Sequence, residues 1–374
     1  MNYTALSLSQ TPPLSVPMPY FLAAPLFALL AALLLFFSGS DLLATRWSPT
    51  VLALTHLLTV GFLGTVMLGA MQQLVPVLIG VPLPAPRLVA PFVFLAWLTG
   101  AGSLIVGMAT STPMAVRAGG ILLAVVIGLF ALLVMRSLWL SSSRHATVRA
   151  MTLAVISLAI TVSIPLYLIT LFGGSLPLAH PMTGLHIGWG AVGWIFLLLV
   201  AVAYQVVPMF QITPEYPAAV RGWLALLMWE GLVVWSAQAI IPLMAYSAWL
   251  LALGMAVFAL QTLRLLSQRR RKLADVTLDF WRLAMACLLL SVLAWGIGHL
   301  LPGTRWELML GVLFLVGFAM SAVNGMLYKI VPFLVWLHLN NRLQQQGQWQ
   351  GKVPNMKQVI PERSARWQFR LHLA

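Results

Sequence analysis

Acidic side chains are nearly missing from this sequence: 7 Asp and Glu stand among 374 residues, against 21 Lys and Arg, and charged residues make up 7%. Soluble chains carry roughly a quarter charged residues, so a soluble domain is excluded. Cysteine is reduced to Cys287 alone. That excludes a disulfide within the chain and any iron–sulfur or Cys-rich zinc site. A positively charged segment ahead of the first apolar run is also lacking, so that run is read as a retained helix rather than a cleaved signal.

What fills the chain is hydrocarbon: 61% hydrophobic residues and a mean hydropathy of +0.96. The apolar runs are long and lack strand-like alternation. In a bilayer every backbone polar group must be satisfied internally, so such runs predict spanning helices. The fold class is an all-α polytopic membrane protein with ten spans, near 19–39, 49–79, 91–110, 117–140, 149–173, 183–211, 220–242, 245–266, 278–299 and 306–338. Of the 21 Lys and Arg, only Arg46, Arg117 and Arg305 fall in or beside loops on one side. This positive-inside bias, with its largest cluster at Arg269–Lys272, puts both termini in the cytoplasm. The net charge of +14 is thus read as topology, with contact to acidic lipid as an addition and no nucleic-acid partner.

One pattern organises the chain. The second span ends QQLVP at Gln72–Pro76, the sixth YQVVP at Tyr204–Pro208, and the tenth YKIVP at Tyr328–Pro332. The prolines are 132 and 124 residues apart, which predicts a repeated four-helix unit. The units are 1–140, 141–266 and a half unit at 267–339, followed by a polar, basic segment at 340–374. That segment is either a basic cytoplasmic tail or a lead into two further helices that would complete the third unit.

Candidate chemistry lies on the repeated helices. His56 and His186 stand 20 and 22 residues before their prolines, both near the outer face. Each could offer one imidazole nitrogen to iron while the other is held by an acceptor. Gly190 and Gly193 follow His186 and would leave its face open to a flat macrocycle, with Tyr204 further along that face. The bland alternative is close helix packing with each imidazole bonded to a carbonyl. His180 and His299, at the outer edge, are reserve ligands, whereas His145, His338 and His372 fall on the basic side and are read as solvated or lipid-facing. Gln73, Gln205 and Lys329 precede the repeated prolines by three residues and fit donors to the carbonyls that proline frees. On the tenth span Ser321, Asn324, Tyr328 and Lys329 form a polar stripe that could line a water or proton path. Glu230 is the single carboxylate well inside a span, and by depth alone Lys329 could partner it.

The stretches HLLTVGFLGTVMLGAMQQLVPVL, HIGWGAVGWIFLLLVAVAYQVVPMFQITPEYP and NGMLYKIVPFLVWLHL resemble the heme-copper oxidase subunit I superfamily, nearest the small membrane proteins related to the cbb3-type oxidase and NnrS branches. The resemblance implies that His56 is a low-spin heme ligand. It also implies further ligands that the chain lacks: the tenth span has no His within the membrane, and 220–242 has none of the pair that would complete a three-histidine copper site. Copper is therefore not expected, nor oxygen or nitric oxide reduction of the oxidase kind.

Two readings result. In one, an oxidase-like membrane protein holds one heme b with His56 and His186, or His299 as the substitute, and serves redox sensing, electron transfer to a respiratory partner, or support of nitric oxide metabolism. In the other, a cofactor-free permease uses Glu230, Lys329, Tyr204, Asn324 and Tyr328 as its path; an assembly subunit without a site of its own is a third possibility.

Overall fold

The computed structural model describes residues 7–39, 45–143, 145–171, 181–270, 273, 275–301, 304–346 and 355–374. Ten helices are long and apolar enough to cross a bilayer: α1 Met18–Phe37, α2 Pro49–Ile79, α3 Pro86–Ala109, α4 Pro113–Leu140, α5 Ala146–Leu171, α6 Met182–Gln211, α7 Ala218–Ala239, α8 Pro242–Ser267, α9 Val276–Leu300 and α10 Trp306–Leu343. No strand occurs among the described residues. The chain is an all-α polytopic membrane protein.

Local chemistry sets the helix ends. Pro49, Pro86 and Pro113 each stand in a first turn, where the missing N–H is no loss. That is why α3 starts earlier than the apolar run alone suggests: Ala85 takes a left-handed turn (φ 41°) and Pro86 opens the helix. The Ser48 side chain caps α2 by accepting from Val51 N, and Asp275 caps α9 by accepting from Thr277 N at 3.0 Å.

Burial sorts the helices. The apolar part of α6 is 78% buried and that of α2 61%, against 22% for α1 and for α8, so α2 and α6 form the centre and α1 and α8 face lipid. The three helices that carry the repeated motif meet along an axis, where corresponding residues line two small cavities. The first, about 30 Å³, takes Met67, Leu199 and Val323, then Ala70, Val202 and Met326 one turn further on. Each residue of such a trio is offset by the 132 and 124 residues that separate the prolines. The second cavity, about 40 Å³, takes Gln73 and Gln205 together with Val77, Met209 and Phe333, again at matching positions. Its basic-side end is closed by the N-terminal segment: Thr11 lines it, Ser7 N donates to Val77 O, and the His338 ring contacts Pro12 O at 3.2 Å.

The same three helices share a feature that their apolar composition does not reveal. Each contains a π-helical stretch: Leu57–Gly64 in α2, Trp189–Phe196 in α6 and Val312–Met320 in α10. Moving the first by 132 residues lands on the second, and a further 124 gives 313–320, inside the third. A π turn holds more residues than an α turn, so it widens the helix and resets which side chains face the axis beyond it. Small residues let neighbours close on these widened segments. A Cβ added at Gly64 would lie 2.6 Å from the Trp97 ring, and one at Gly193 would lie 2.8 Å from the Ser157 side chain.

The basic C-terminal segment is partly a docked helix, α11 Glu362–Leu373, rather than a free tail. It lies against α9 and α10. Ala365 is buried with Val276 and Phe280, and Phe369 meets the Phe280 ring edge-on at 4.8 Å. Glu362 accepts from Val276 N at the start of α9, a carboxylate at the positive end of a helix dipole. Arg366 bridges Asp279 and Glu362.

Candidate functional site

His56 is the last α-helical residue of α2 before its π stretch, and His186 stands three residues before the π stretch of α6. The two rings approach each other: their centroids are 6.4 Å apart and their planes differ by 7°. Both side chains are part-buried. Each Nδ1 is held by a carbonyl. That of His56 lies 2.8 Å from Leu52 O, four residues back on its own helix, and that of His186 lies 2.8 Å from Thr161 O on α5. A carbonyl can only accept, so each Nδ1 carries the hydrogen and each Nε2 is left with its lone pair.

The Thr161 carbonyl is available for a reason written in the sequence. Pro165 lies inside α5, and a proline removes the N–H that would bond to the carbonyl four residues back. Here that carbonyl is Thr161 O, and His186 fills the gap. Residues Pro165 and Thr161 escape notice in a search for ligands, because neither can bind a metal; the signal was the proline in the interior of an apolar run facing a helix with a histidine.

The other histidines are placed elsewhere. The exposed His299, at the end of α9, packs on Trp295 (centroids 4.2 Å) and Trp249 (6.0 Å) and donates from Nδ1 to Trp295 O. It joins α8 and α9, not the His56–His186 pair. His180 lies outside the described residues. His338 and His372 are not free on the basic side, as the sequence suggested: His338 ties α10 to the N-terminal segment, and His372 Nε2 is 2.7 Å from Ser321 Oγ. Among the described residues, no cluster of three or more His, Cys, Asp or Glu side chains could hold a metal ion.

The expected macrocycle face of α6 needs correction. Gly190 and Gly193 face α5, where an added Cβ would meet Thr161 at 3.2 Å and Ser157 at 2.8 Å. They bring α5 close to α6, which is what carries the Thr161 carbonyl to His186. Tyr204 is likewise engaged: its hydroxyl donates to Val220 O at 2.9 Å, and its ring packs edge-on against Tyr216.

The polar path from the sequence is rearranged most. Lys329 pairs with Asp275, Nζ to Oδ2 2.6 Å, in a site where Asp275 is 3% exposed and Lys329 19%. Glu230 is on the outward face of α7 and has no part in that pair. Nor does the stripe on α10 face an open channel. It is the seat of α11: Ser321 meets His372, and the Tyr328 hydroxyl lies 3.4 Å from Gln368 Oε1. Of the stripe, Asn324 Nδ2 is buried and, among the described residues, has no hydrogen-bond partner. Depth along a helix was legible; azimuth was not, and azimuth decided which of these groups meet.

No family model and no curated protein matches this chain.

Proposed function

We propose that the chain holds one heme b between His56 and His186 at the end of the bundle away from its basic loops. It would serve as a redox-sensing or electron-transfer protein of a bacterial inner membrane, with both termini cytoplasmic, in respiratory or nitric oxide metabolism. The observation that carries this reading is the pair of nearly parallel imidazoles 6.4 Å apart. Two imidazoles that both bound one metal ion, at about 2 Å each, would have ring centroids no more than roughly 6.3 Å apart. The donor set fits as well, since both Nδ1 atoms are held by carbonyls and, among the described residues, neither Nε2 meets a hydrogen-bond partner. When bound, the heme supplies one-electron redox chemistry.

The protein's own part is to fix the ligands. Leu52 O and Thr161 O set the tautomer and rotation of the two rings, and the packing of α5 on α6 holds the second acceptor in place. The resemblance to heme-copper oxidases agrees with a heme ligand at His56, while the absence of His from α7 leaves no three-histidine copper site of their kind.

The test is the absorption spectrum of the protein extracted from membranes, oxidised and reduced. A low-spin bis-histidine spectrum is expected for the wild type. His56→Ala and His186→Ala should each abolish it or convert it to a five-coordinate, high-spin form. Wild-type protein free of heme, or spectra unmoved by both substitutions, would overturn the reading.

A further inference from the structure

The second axial cavity, about 40 Å³, is walled mostly by hydrocarbon, yet three polar side chains open into it: Gln73 of α2, Gln205 of α6 and Thr11 of the N-terminal segment. Gln73 is 3% exposed. Its Oε1 and the Thr11 Oγ1 are both buried and, among the described residues, neither has a hydrogen-bond partner. A buried acceptor without a donor costs about 1–3 kcal/mol, and the hydrocarbon wall, Leu74, Val77, Met209 and Phe333 among it, has nothing to donate. The first axial cavity supplies the contrast. It is about 30 Å³ and lies next along the same axis, with Leu74 and Ile330 in the walls of both, but every side chain that lines it is apolar.

We infer that the second cavity is a water-binding site, in which resident waters join Gln73, Gln205 and Thr11, and that the first cavity stays dry. Size admits water to both, since one molecule takes about 10–15 Å³ of such a space and about three would fit the second. Polarity therefore decides. A buried water keeps its place with two to four polar partners; the second cavity offers three polar side chains and the first none. The donor inventory selects water over other small ligands. A glutamine Oε1 only accepts, so what meets it must donate, which excludes a simple anion. A calcium or magnesium ion takes about six or more oxygen ligands, carboxylates usually among them, whereas no carboxylate lines this cavity and its polar side chains bring three oxygens. Water donates to Gln73 Oε1 and can both give to and take from the Thr11 hydroxyl and the Gln205 amide. It thereby joins the N-terminal segment to α2 and α6 at a point where Thr11 makes no direct bond. The axis is wet as far as Leu74 and Ile330, and no chain of water passes beyond them between Met71 and Met326.

The experiment is brief X-ray radiolysis of the full chain in lipid nanodiscs in heavy-oxygen water, read by mass spectrometry, because hydroxyl radicals made from a bound water label the side chains beside it. Met209 and Phe333 line the wet cavity; Met67, Met71 and Met326, all buried, line the dry one. Oxygen from water should appear at Met209 and Phe333 several-fold faster than at the other three. Thr11→Val combined with Gln73→Leu leaves one polar side chain in the cavity, fewer than a water needs, so labelling at Met209 and Phe333 should fall several-fold. Equal labelling of the two sets in the wild type would overturn the inference, and so would labelling unmoved by the double variant, whose source would then be bulk solvent. A structure of the wild type that resolves ordered waters should show one within hydrogen-bonding reach of Gln73 Oε1 and none between Met71 and Met326. An empty second cavity there, or a filled first one, overturns the inference however the double variant folds. None of these readouts depends on whether the histidine pair binds heme.

Discussion

Lys329 and Asp275 show how a sparse set of charges is managed in this protein. In the repeat, Lys329 stands where Gln73 and Gln205 stand in α2 and α6, and those two glutamines line the axial cavity. A lysine there would put a charge among Leu74, Val206 and Ile330; instead it reaches out to the carboxylate that also caps α9. Removing one partner of a buried pair leaves the other uncompensated, at a cost of about 3 kcal/mol. Asp275→Asn keeps the capping oxygen and removes the charge, so it isolates the ion pair from the cap. It should lower the melting temperature of the purified protein markedly, and Asp275→Asn combined with Lys329→Met should recover much of the loss. A double variant no more stable than the single one would show that the pair is not the cause. In the sequence Lys329 could be matched to Glu230 by depth alone, and Asp275 did not stand out as a partner. Nothing in a linear pattern tells which side of α10 a lysine leaves from once a π turn has shifted the helix upstream.

At the scale of elements, helix contact in this bundle is governed by small residues. Among the described glycines the closest approach to a neighbour's backbone is between α3 and α4, where a Cβ at Gly119 would fall 2.4 Å from Leu104 N and 2.8 Å from Gly100 O, both backbone atoms that cannot swing aside. Gly119→Ala should therefore force the two helices apart and destabilise the protein, despite the gain in helix propensity of about 1 kcal/mol. Gly128→Ala on the same helix, where nothing lies within 4 Å of an added Cβ, should be neutral or stabilising. Thermal melts of the two variants side by side would check this, and equal behaviour would refute it. The ten spans themselves were legible, because length and apolarity are what a bilayer demands of a helix. The π stretches were not: an extra residue in a turn leaves Leu57–Gly64 as apolar as any α-helix. Their position beside both His56 and His186 is the reason the ring geometry could not be derived from residue spacing alone.

At the scale of the whole molecule, the recurring proline motif was legible and the use made of the polar stripe on α10 was not. The three prolines announced a four-helix period, but the use of the polar stripe on α10 as a seat for the chain's own C-terminal helix depends on a contact across about 50 residues of sequence. Ser321 and His372 are 51 apart, and Tyr328 and Gln368 are 40 apart. Docking of α11 should depend on pH through His372. Burial against Ser321 and Phe280 lowers its affinity for a proton below the ordinary histidine value of about 6.5, so the docked state favours the neutral ring. The sign follows: above about pH 6.5 the ring is neutral whether docked or free, and the docked state keeps its full stability. As pH falls below that value the free helix takes up a proton that the docked helix resists, and docking weakens. The Arg366 pairs with Asp279 and Glu362 lie toward the other end of α11 and involve no histidine, so release should begin at the His372 end. Hydrogen exchange of residues 362–373 should be slow at pH 8. After correction for the intrinsic pH dependence of exchange, it should be faster at pH 5.5, first around Phe369–Leu373. In His372→Gln, which can still bond to Ser321 but cannot take a proton, protection should be the same at both pH values. If the wild type shows no change in that window, or if the glutamine variant shows the same change, the ring does not control the docking.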